Sequence, residues 1–156
     1  MQKITPFLWF NDNAEEAMNY NISIFKDAKK VYVSHYGKSG PGPEGSVKVA
    51  ALEIQGQELL LLNGGPQFKF DEAISFVVNC KDQAEVDYYW KELSRGGKTS
   101  QCGWLKDKFG LSWQIVFTLI WEVMKEDSEA SDRVMTAVMT MTKLEVSELE
   151  KAAAGK

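Results

Sequence analysis

One pattern of secondary structure is predicted twice along this chain: a strand, a helix and then three further strands. The two copies start alike when they are laid over each other at an offset of 70 residues. The matched positions are Asp12 and Asp82, Ala14 and Ala84, Glu15 and Glu85, Tyr20 and Trp90, and Thr5 and Ser75. We interpret this match as an internal repeat, with chance similarity between two amphipathic β-α starts as the alternative. The repeat predicts an α+β fold built from two β-α-β-β-β modules, in place of one parallel sheet with alternating helices.

The first module is predicted over residues 1–63. Asn11 or Asp12 offers a side-chain oxygen that would cap its helix, and Gln55 and Gly56 supply the turn between its last two strands. The helix has apolar residues at helical spacing, so one of its faces is expected to pack on the core. The predicted elements are a strand over 4–10, a helix over 13–25, and strands over 30–36, 46–54 and 57–63.

A linker over residues 64–72 leads to the second module, which is predicted over residues 73–117. Asp82 is expected to cap its helix, and two glycines are expected to end it. Residues 118–156 then form a helical tail, because apolar side chains recur in them at helical spacing. The predicted elements of this second half are a strand over 73–80, a helix over 83–95, further strands from 98 to 117, and tail helices over 128–141 and 146–154.

The stretch QCGWLKDKFGLSWQIV, residues 101–116, carries the clearest turn signal of the chain. Asp107 readily bonds its own backbone and Gly110 tolerates positive φ, so the D-x-x-G spacing indicates a tight turn that leads into a strand from Leu111. Such turns are common in hairpins, and this one identifies no function by itself.

The composition excludes several classes of protein. The net charge is −4 and the basic residues are scattered, which argues against a nucleic-acid partner. The chain starts without a basic segment followed by an apolar run, and its apolar stretches are too short to cross a membrane, so a cytoplasmic location is expected. Cys80 and Cys102 are too few for a disulfide framework and too far apart for a Cys-x-x-Cys motif. We interpret both as reduced and structural.

The paired modules and the spacing D-x-x-G-x-x-x-Gln at Asp107, Gly110 and Gln114 resemble the glyoxalase/bleomycin-resistance superfamily, also called the vicinal oxygen chelate superfamily. Within it, the stretches GPQFKFDEAISFVVNCKDQAEVDYYW and CGWLKDKFGLSWQIV are similar to the PhnB-like branch, which is often labelled demethylubiquinone methyltransferase. The resemblance covers almost the whole chain. It implies a single domain over residues 1–156, with two open cup-like sheets around a ligand cavity, and it implies a homodimer.

In metal-dependent members of that superfamily, a cation is held by one residue from the first strand and one from the last strand of each module. The resemblance places Thr5, Ser75 and Gln114 at three of these positions and the fourth within residues 59–62. Hydroxyl, amide and leucine side chains do not supply the donors that zinc, iron, nickel or manganese prefer. We therefore expect no metal and no cofactor. The single histidine, His35, ends a strand beside a loop and is expected at the surface.

The strand pattern also indicates which side chains would line the cups, because alternate residues of a strand share a face. Trp113 and Ile115 are expected to point the other way and to pack under the helices. The lining would be apolar and aromatic with a few neutral polar groups, as in many small-molecule sites. The alternative is that these side chains only fill the barrel. The predicted lining residues are Thr5, Phe7, Trp9, Ser75, Val77, Asn79, Ser112, Gln114 and Val116.

Two hypotheses for function stay open at this point. One is a metal-free binding protein that sequesters or carries a small apolar or aromatic compound. The other is an enzyme of lyase, dioxygenase or transferase type with catalytic groups outside the metal positions. Cys102 is then a candidate nucleophile, and a structural thiol is the simpler interpretation. The methyltransferase label gains no support, because we expect neither the glycine-rich nucleotide loop nor the strand order of a doubly wound sheet.

Overall fold

The structure is a computed structural model that describes residues 2–126 and 128–156. The chain divides into two compact units, of which the first ends at Phe70 and the second begins at Asp71. Each unit contains one four-stranded sheet, with a helix between its first and second strands. The α+β class and the repeated β-α-β-β-β order are therefore confirmed.

The elements of the first unit are β1 (Phe7–Phe10), α1 (Ala14–Ile24), β2 (Lys29–His35), β3 (Val47–Ile54) and β4 (Gln57–Asn63). The strands lie in the order β1-β4-β3-β2, and only β1 and β4 are parallel among the paired strands of this sheet. The predicted two-residue turn joins β3 to β4. Its residues Gln55 and Gly56 both have positive φ, 50° and 79°, as the short turns of hairpins favour.

One face of this sheet packs against α1 and forms the core of the first unit. Leu8, Ala50 and Leu61 are neighbours across β1, β3 and β4, and all three are buried. Ala17 and Met18 of α1 are buried as well, in agreement with the apolar helix face that the sequence predicts. Burying a leucine or methionine side chain stabilises a fold by roughly 1.5–3 kcal/mol. The sheet therefore stabilises this short helix.

The first strand is shorter than predicted, because it begins at Phe7 and not at residue 4. Pro6 explains the difference, since proline has no N–H to donate to a neighbouring strand. Its carbonyl still accepts a hydrogen bond from the N–H of Leu60 at 3.0 Å, and regular pairing starts at the next residue. Thr5, a predicted lining residue, therefore lies before the strand.

The cap of α1 also differs from the prediction that Asn11 or Asp12 supplies it. The side-chain oxygen of Asn63, the last residue of β4, accepts a hydrogen bond from the N–H of Ala14 at 2.8 Å. The amide nitrogen of the same side chain donates to the carbonyl of Val47 in β3 at 3.1 Å. Asn63 thereby joins the start of α1 to two strands of the sheet.

The second unit repeats the arrangement with β5 (Ser75–Cys80), α2 (Gln83–Ser94), β6 (Lys98–Thr99), β7 (Trp104–Lys106) and β8 (Ser112–Phe117). Its strand order is β5-β8-β7-β6, and β5 pairs with β8 in parallel. Asp82 caps α2 as predicted, because its side chain accepts a hydrogen bond from the N–H of Glu85 at 2.9 Å. Trp113 and Ile115 are buried on the helix side of the sheet, also as predicted.

A buried carboxylate, that of Asp107, holds the turn between β7 and β8. One of its oxygens accepts the N–H groups of Phe109 and Leu111, at 2.9 and 3.1 Å. The other accepts the indole N–H of Trp113 at 2.9 Å. Burial raises the pKa of this carboxyl, and hydrogen bonds from the Trp113 side chain and from the backbone of Phe109, Leu111 and Gly110 oppose that rise. The predicted D-x-x-G turn is thus built around one ionisable group with both oxygens engaged.

Three tail helices follow the second sheet: α3 (Leu119–Lys125), α4 (Glu129–Val138) and α5 (Val146–Ala154). α4 ends before the predicted residue 141, because the N–H groups of Thr140 and Met141 bond to the carbonyls three residues earlier and not four. The carbonyls of Met141 and Thr142 accept hydrogen bonds from the N–H groups of Cys102 and Gly103, both at 2.8 Å. The Gln83 side chain of α2 both donates to and accepts from the tail backbone. No helix in the described part of the chain has the length and apolarity that a bilayer span requires.

We expect the substitution Asp107→Asn to lower the free energy of unfolding by about 1–3 kcal/mol at neutral pH. The amide oxygen of the variant still accepts backbone N–H groups, but its NH₂ group meets the indole N–H of Trp113, and two buried donors then lack an acceptor. The measurement is the midpoint of urea unfolding. Asp71→Asn is the control, since this exposed side chain accepts one backbone N–H and its change should cost less than about 0.5 kcal/mol. Equal midpoints for wild type and Asp107→Asn would contradict the role given to the carboxylate.

Candidate functional site

The face of the first sheet that points away from α1 is mostly apolar, and we call it the first face. Paired residues of neighbouring strands share a face, so the strand register arranges side chains in rows. The two central rows are Phe7, Leu60, Ala51 and Tyr32, and then Trp9, Leu62, Val49 and Ser34. Their side chains carry no charge at neutral pH. A charged row of Glu58, Glu53 and Lys29 follows at one end, where Lys29 and Glu53 form an ion pair at 3.0 Å.

Two aromatic side chains of the first face differ in how they are held. Phe7 is 54% exposed. Trp9 is half-buried, its indole N–H donates to the carbonyl of Gly65 at 2.9 Å, and its ring meets that of Phe68 edge to face at 5.0 Å. The lack of a side chain at Gly64 leaves room for the ring, since a Cβ at residue 64 would lie only 2.3 Å from the indole and would clash with it. Trp9 is therefore a fixed aromatic wall beside a ring that is open to solvent.

The corresponding face of the second sheet points away from α2 and is more polar; we call it the second face. Its rows are Lys98, Lys106, Ser112 and Ser75, then Trp104, Gln114 and Val77, and then Val116 and Asn79. The lining residues predicted for the second module all have register positions on this face. Sequence reasoning missed three further members, Lys98, Trp104 and Lys106.

Two hydrogen bonds engage the polar lining residues of the second face. The side-chain nitrogen of Gln114 donates to the hydroxyl of Ser75 at 2.9 Å. The side-chain oxygen of Asn79 accepts the indole N–H of Trp121, from tail helix α3, at 2.7 Å. Ser75 and Gln114 are therefore adjacent and bonded to each other, whereas Asn79 is turned toward the tail.

A pocket of about 440 Å³ opens beside the first row of the second face. Ser112 forms part of its wall and is 0% exposed, and the Ser112 hydroxyl has no hydrogen-bond partner among the described residues. The ammonium group of Lys106 contacts the carboxylate of Glu72 at 2.6 Å, and this hydrogen bond lowers the pKa of Glu72. The walls also include Lys98 and Trp104. The pocket thus combines basic, hydroxyl and aromatic groups.

The missed residues lie on very short strands, since β6 has two residues and β7 has three. Alternation of polar and apolar side chains needs a longer run to be recognised in a sequence. The D-x-x-G motif nevertheless contains a signal from which the position of Lys106 on this face could be predicted. A turn closed by a hydrogen bond from the N–H of Asp107 to the carbonyl of Leu111 makes Lys106 and Ser112 direct partners across the hairpin.

The residues at the superfamily's metal positions do not fit a divalent transition metal. Ser75 and Gln114 are neutral, and their polar atoms already bond to each other. In the first unit, Thr5 lies before the strand, and Leu60, which has the register position of Gln114, offers no donor atom. No group of three His, Cys, Asp or Glu side chains suited to a metal ion is found within residues 2–126 and 128–156.

A glycine-rich loop between β2 and β3 contradicts one expectation from the sequence. Gly40, Gly42 and Gly45 have the G-x-G-x-x-G spacing of nucleotide loops, which we had not expected to find. The context differs, however, because this loop joins two antiparallel strands and leads into no helix. Its glycines leave room for Tyr36, since an added Cβ on Gly40 or Gly42 would lie within 2.5 Å of that ring. The spacing therefore serves packing.

A second pocket, of about 740 Å³, lies beside the same loop and the start of α1. Asp12, Glu15 and Glu16 line it, and none of the described residues in its lining is Lys, Arg or His. Like charges repel, so this pocket disfavours phosphates and other anions.

Cys80 and His35 have the positions expected of a structural and a surface residue, and the structural role of Cys102 stays a prediction. Cys80 is buried at the end of β5, and burial, with Glu85 and Asp82 adding to it, raises its pKa to about 12. Cys102 is partly exposed, and its sulfur lies 4.0 Å from that of Met139 in the tail. His35 is exposed at the end of β2, as predicted.

Comparison with known proteins identifies the family. A family model described as 3-demethylubiquinone-9 3-methyltransferase matches residues 2–116. The chain belongs to this family. The matched residues contain both sheets apart from the last residue of β8, and the three tail helices lie outside them. A comparison with curated proteins gives no match.

Solved structures agree with this assignment. A PhnB protein from Bacillus cereus is 37% identical with a TM-score of 0.68, over 74% of this chain and 99% of that chain. Protein PA1353 from Pseudomonas aeruginosa is 21% identical with a TM-score of 0.60, over 74% and 96% of the two chains. The fosfomycin resistance protein FosX from Listeria monocytogenes is 16% identical with a TM-score of 0.57, over 79% and 96%. The last two show the fold alone. The resemblance to PhnB-like proteins is confirmed.

The family's name describes methyl transfer, but the fold of this chain is not a doubly wound sheet. Each sheet has one parallel and two antiparallel strand pairs. Doubly wound sheets are mostly parallel and bind their cofactors at the carboxyl ends of the strands. One fold carries many functions, so a function for this chain has to be argued from its two faces.

We expect Cys80 to be unreactive in the folded protein. The thiolate is the reactive form, and a pKa of about 12 leaves roughly one thiol in ten thousand ionised at pH 8. In the Cys102→Ser variant, where Cys80 is the remaining cysteine, DTNB should release about one equivalent of colour in denaturing guanidinium and less than about a tenth of that in buffer. Rapid reaction of this variant in buffer would contradict the burial of Cys80.

Proposed function

We propose that this chain binds a small apolar or aromatic compound without a metal, and that the first face of the first unit and the second face of the second unit are candidate surfaces for it. The observation that carries the proposal is the pair of uncharged central rows on the first face, in which Phe7 is more than half exposed and Trp9 is fixed by the Gly65 carbonyl. Exposed aromatic surface is unfavourable in water, and a planar apolar ligand removes it from water by stacking.

The second face offers neutral polar groups that suit the orientation of such a ligand. The bond that joins the two side chains runs from the Gln114 nitrogen to the Ser75 oxygen, so within the described residues the side-chain oxygen of Gln114 and the hydroxyl hydrogen of Ser75 are available to a ligand. One accepts and the other donates, so the pair fits a hydroxyl or carbonyl group of the ligand. Val77 adds apolar surface. Thr5 belongs to the margin of the candidate surface on the first face, and Asn79 to the margin of the one on the second face.

Binding is favoured over catalysis by the side chains of the faces. The central rows of the first face and the three rows of the second face contain no His, Cys, Asp or Glu in the described chain. These are the usual general acids, bases and nucleophiles of enzymes. An enzyme would have to use the lysine, serine and tyrosine side chains of these faces or groups from outside them, and no observation favours a particular set.

We expect 1-naphthamide, a neutral aromatic probe, to bind in isothermal titration calorimetry and to raise the melting temperature. Phe7→Ala should weaken this binding by roughly threefold to tenfold, because an aromatic pair contributes about 0.5–1.5 kcal/mol beyond the area that it buries. Tyr88→Ala is the matched control, since it removes an exposed ring on α2 and should leave the affinity unchanged. Absence of binding to the wild type, or equal losses in both variants, would contradict the proposed site.

Elemental analysis of protein prepared without chelator tests the metal-free part of the proposal. We expect far less than one zinc, iron, nickel or manganese per chain, because neutral donors leave the charge of a bound cation uncompensated. One metal per chain that is lost in a Gln114→Ala variant would overturn this part.

We further propose that the protein is a homodimer and that residues 1–156 act as one domain. Several large apolar side chains are exposed, among them Phe68 at 64% and Ile74 at 69%. Exposed apolar patches and sheet edges such as β2 and β6 commonly mark surfaces that a partner covers. The cytoplasmic location stays a prediction from the sequence.

Light scattering at micromolar concentration should therefore give twice the chain mass of 17.6 kDa. A charge placed at one of these exposed apolar positions, as in Ile74→Lys, should shift the mass toward the monomer because a dimer that covers this position would have to bury the charge unpaired. Lys91→Glu changes the charge of an exposed helix residue and serves as the control. A clean monomer mass for the wild type would contradict the dimer.

A further inference from the structure

We infer that the compound bound by this chain is an apolar or aromatic monocarboxylate, and that its carboxylate lies in the pocket beside Lys98, Lys106 and Ser112. This inference rests on the proposed function and names the chemical class of its ligand. It follows from three properties of the pocket: its charge, an unpartnered buried hydroxyl and an aromatic wall.

The side chains that line the pocket carry a net charge of +1. Lys98 and Lys106 are direct partners across β6 and β7, so both side chains are on the second face. Glu72 pairs with Lys106 at 2.6 Å, whereas Lys98 has no ion pair in the described part of the chain. Two ammonium groups and one carboxylate leave a single uncompensated charge, which one carboxylate of a ligand would neutralise.

The hydroxyl of Ser112 indicates a polar ligand group at the same place. Lys106 faces Ser112 across β7 and β8, so the hydroxyl continues the row that starts at Lys98. It is fully buried and has no partner among the described residues, and leaving a buried polar group unpaired is unfavourable. A carboxylate oxygen of the ligand in this row would accept the hydrogen of the Ser112 hydroxyl, which would then have a hydrogen-bond partner.

The aromatic wall indicates what the carboxylate is attached to. Trp104 lies in the next row of the second face, beside Gln114, and its half-buried ring lines the pocket. The volume of about 440 Å³ falls in the range of small-molecule sites and exceeds what a lone inorganic anion fills. An apolar ring against Trp104 would place an attached carboxylate toward the row of Lys98.

The pocket already holds a carboxylate of its own, which is the reason to prefer this anion over phosphate. The Glu72 side chain is 63% exposed and still contacts Lys106, and the same contact lowers its pKa. A phosphate dianion would leave a surplus of negative charge next to Glu72. A carboxylate monoanion would neutralise the net charge of the pocket and would leave no such surplus.

The test compares 1-naphthoate with 1-naphthamide, which has the same shape and no charge, by isothermal titration calorimetry on the full chain. We expect naphthoate to bind about tenfold more tightly, the gain typical of one charge-assisted hydrogen bond. Raising the salt concentration should reduce this advantage, because partly exposed charges are screened. Inorganic phosphate is the third probe, and tighter binding of phosphate than of naphthoate would overturn the choice of anion.

Two variants locate the carboxylate. Lys98→Met should remove most of the advantage of naphthoate, with a smaller effect on naphthamide, while the control Lys91→Met removes the same charge on α2 and should change neither affinity. Ser112→Ala should weaken naphthoate by roughly threefold to tenfold. Because Ser112→Ala deletes an unpartnered buried hydroxyl, its urea midpoint should equal or exceed that of the wild type, which separates lost affinity from lost folding.

The outcomes distinguish this inference from the proposed function. Equal affinities for naphthoate and naphthamide would overturn the inference and leave the proposed function standing. An advantage of naphthoate that survives in Lys98→Met and Ser112→Ala would also overturn it, since the carboxylate would then bind elsewhere. Binding of neither aromatic probe would remove the proposed function and the inference with it.

Discussion

The carboxylate of Asp107 determines where β7 lies against β8, and the rows of the second face follow from that register. By accepting backbone N–H groups and the indole N–H of Trp113, it closes a turn in which Lys106 faces Ser112. A slip of one residue would move every side chain of β7 to the opposite face, so Leu105 would replace Lys106 and Trp104. A group that lies outside the candidate site therefore decides which side chains compose it.

The two units use one strand order for two kinds of surface. The last strand of each module pairs with the first strand in parallel, and Leu60 in the first unit has the register position of Gln114 in the second. The first face is accordingly apolar in its central rows, whereas the second face carries a hydroxyl-amide pair and two lysines. Strands pair through backbone groups, whatever their side chains are. Two modules with the same strand order are therefore able to carry different chemistry on their open faces.

The sequence predicts the order of elements well and the register-dependent details poorly. Strands and helices follow from local periodicity, which is why Trp113 and Ile115 are placed correctly under the helix. Pro6 removes one donor and shortens β1, an effect that apolar patterning does not reveal. Lys98 reaches the candidate site only through cross-strand pairing of a two-residue strand, and such pairing is a property of distant residues. The orphan hydroxyl of Ser112 likewise depends on what surrounds it in three dimensions.

The position of Asn63 has a consequence for the order in which the first unit is able to fold. Its side chain caps α1 across a separation of 49 residues, and the N-cap residue of that helix makes no cap of its own. The helix therefore gains its cap only after β4 has paired with β1, when a long loop has already been closed. In the second unit, Asp82 caps α2 from three residues away, so that helix is stabilised by its own sequence from the start. Two modules with the same topology thus differ at equivalent helices, because the cap of α1 is a long-range contact and the cap of α2 is a local one.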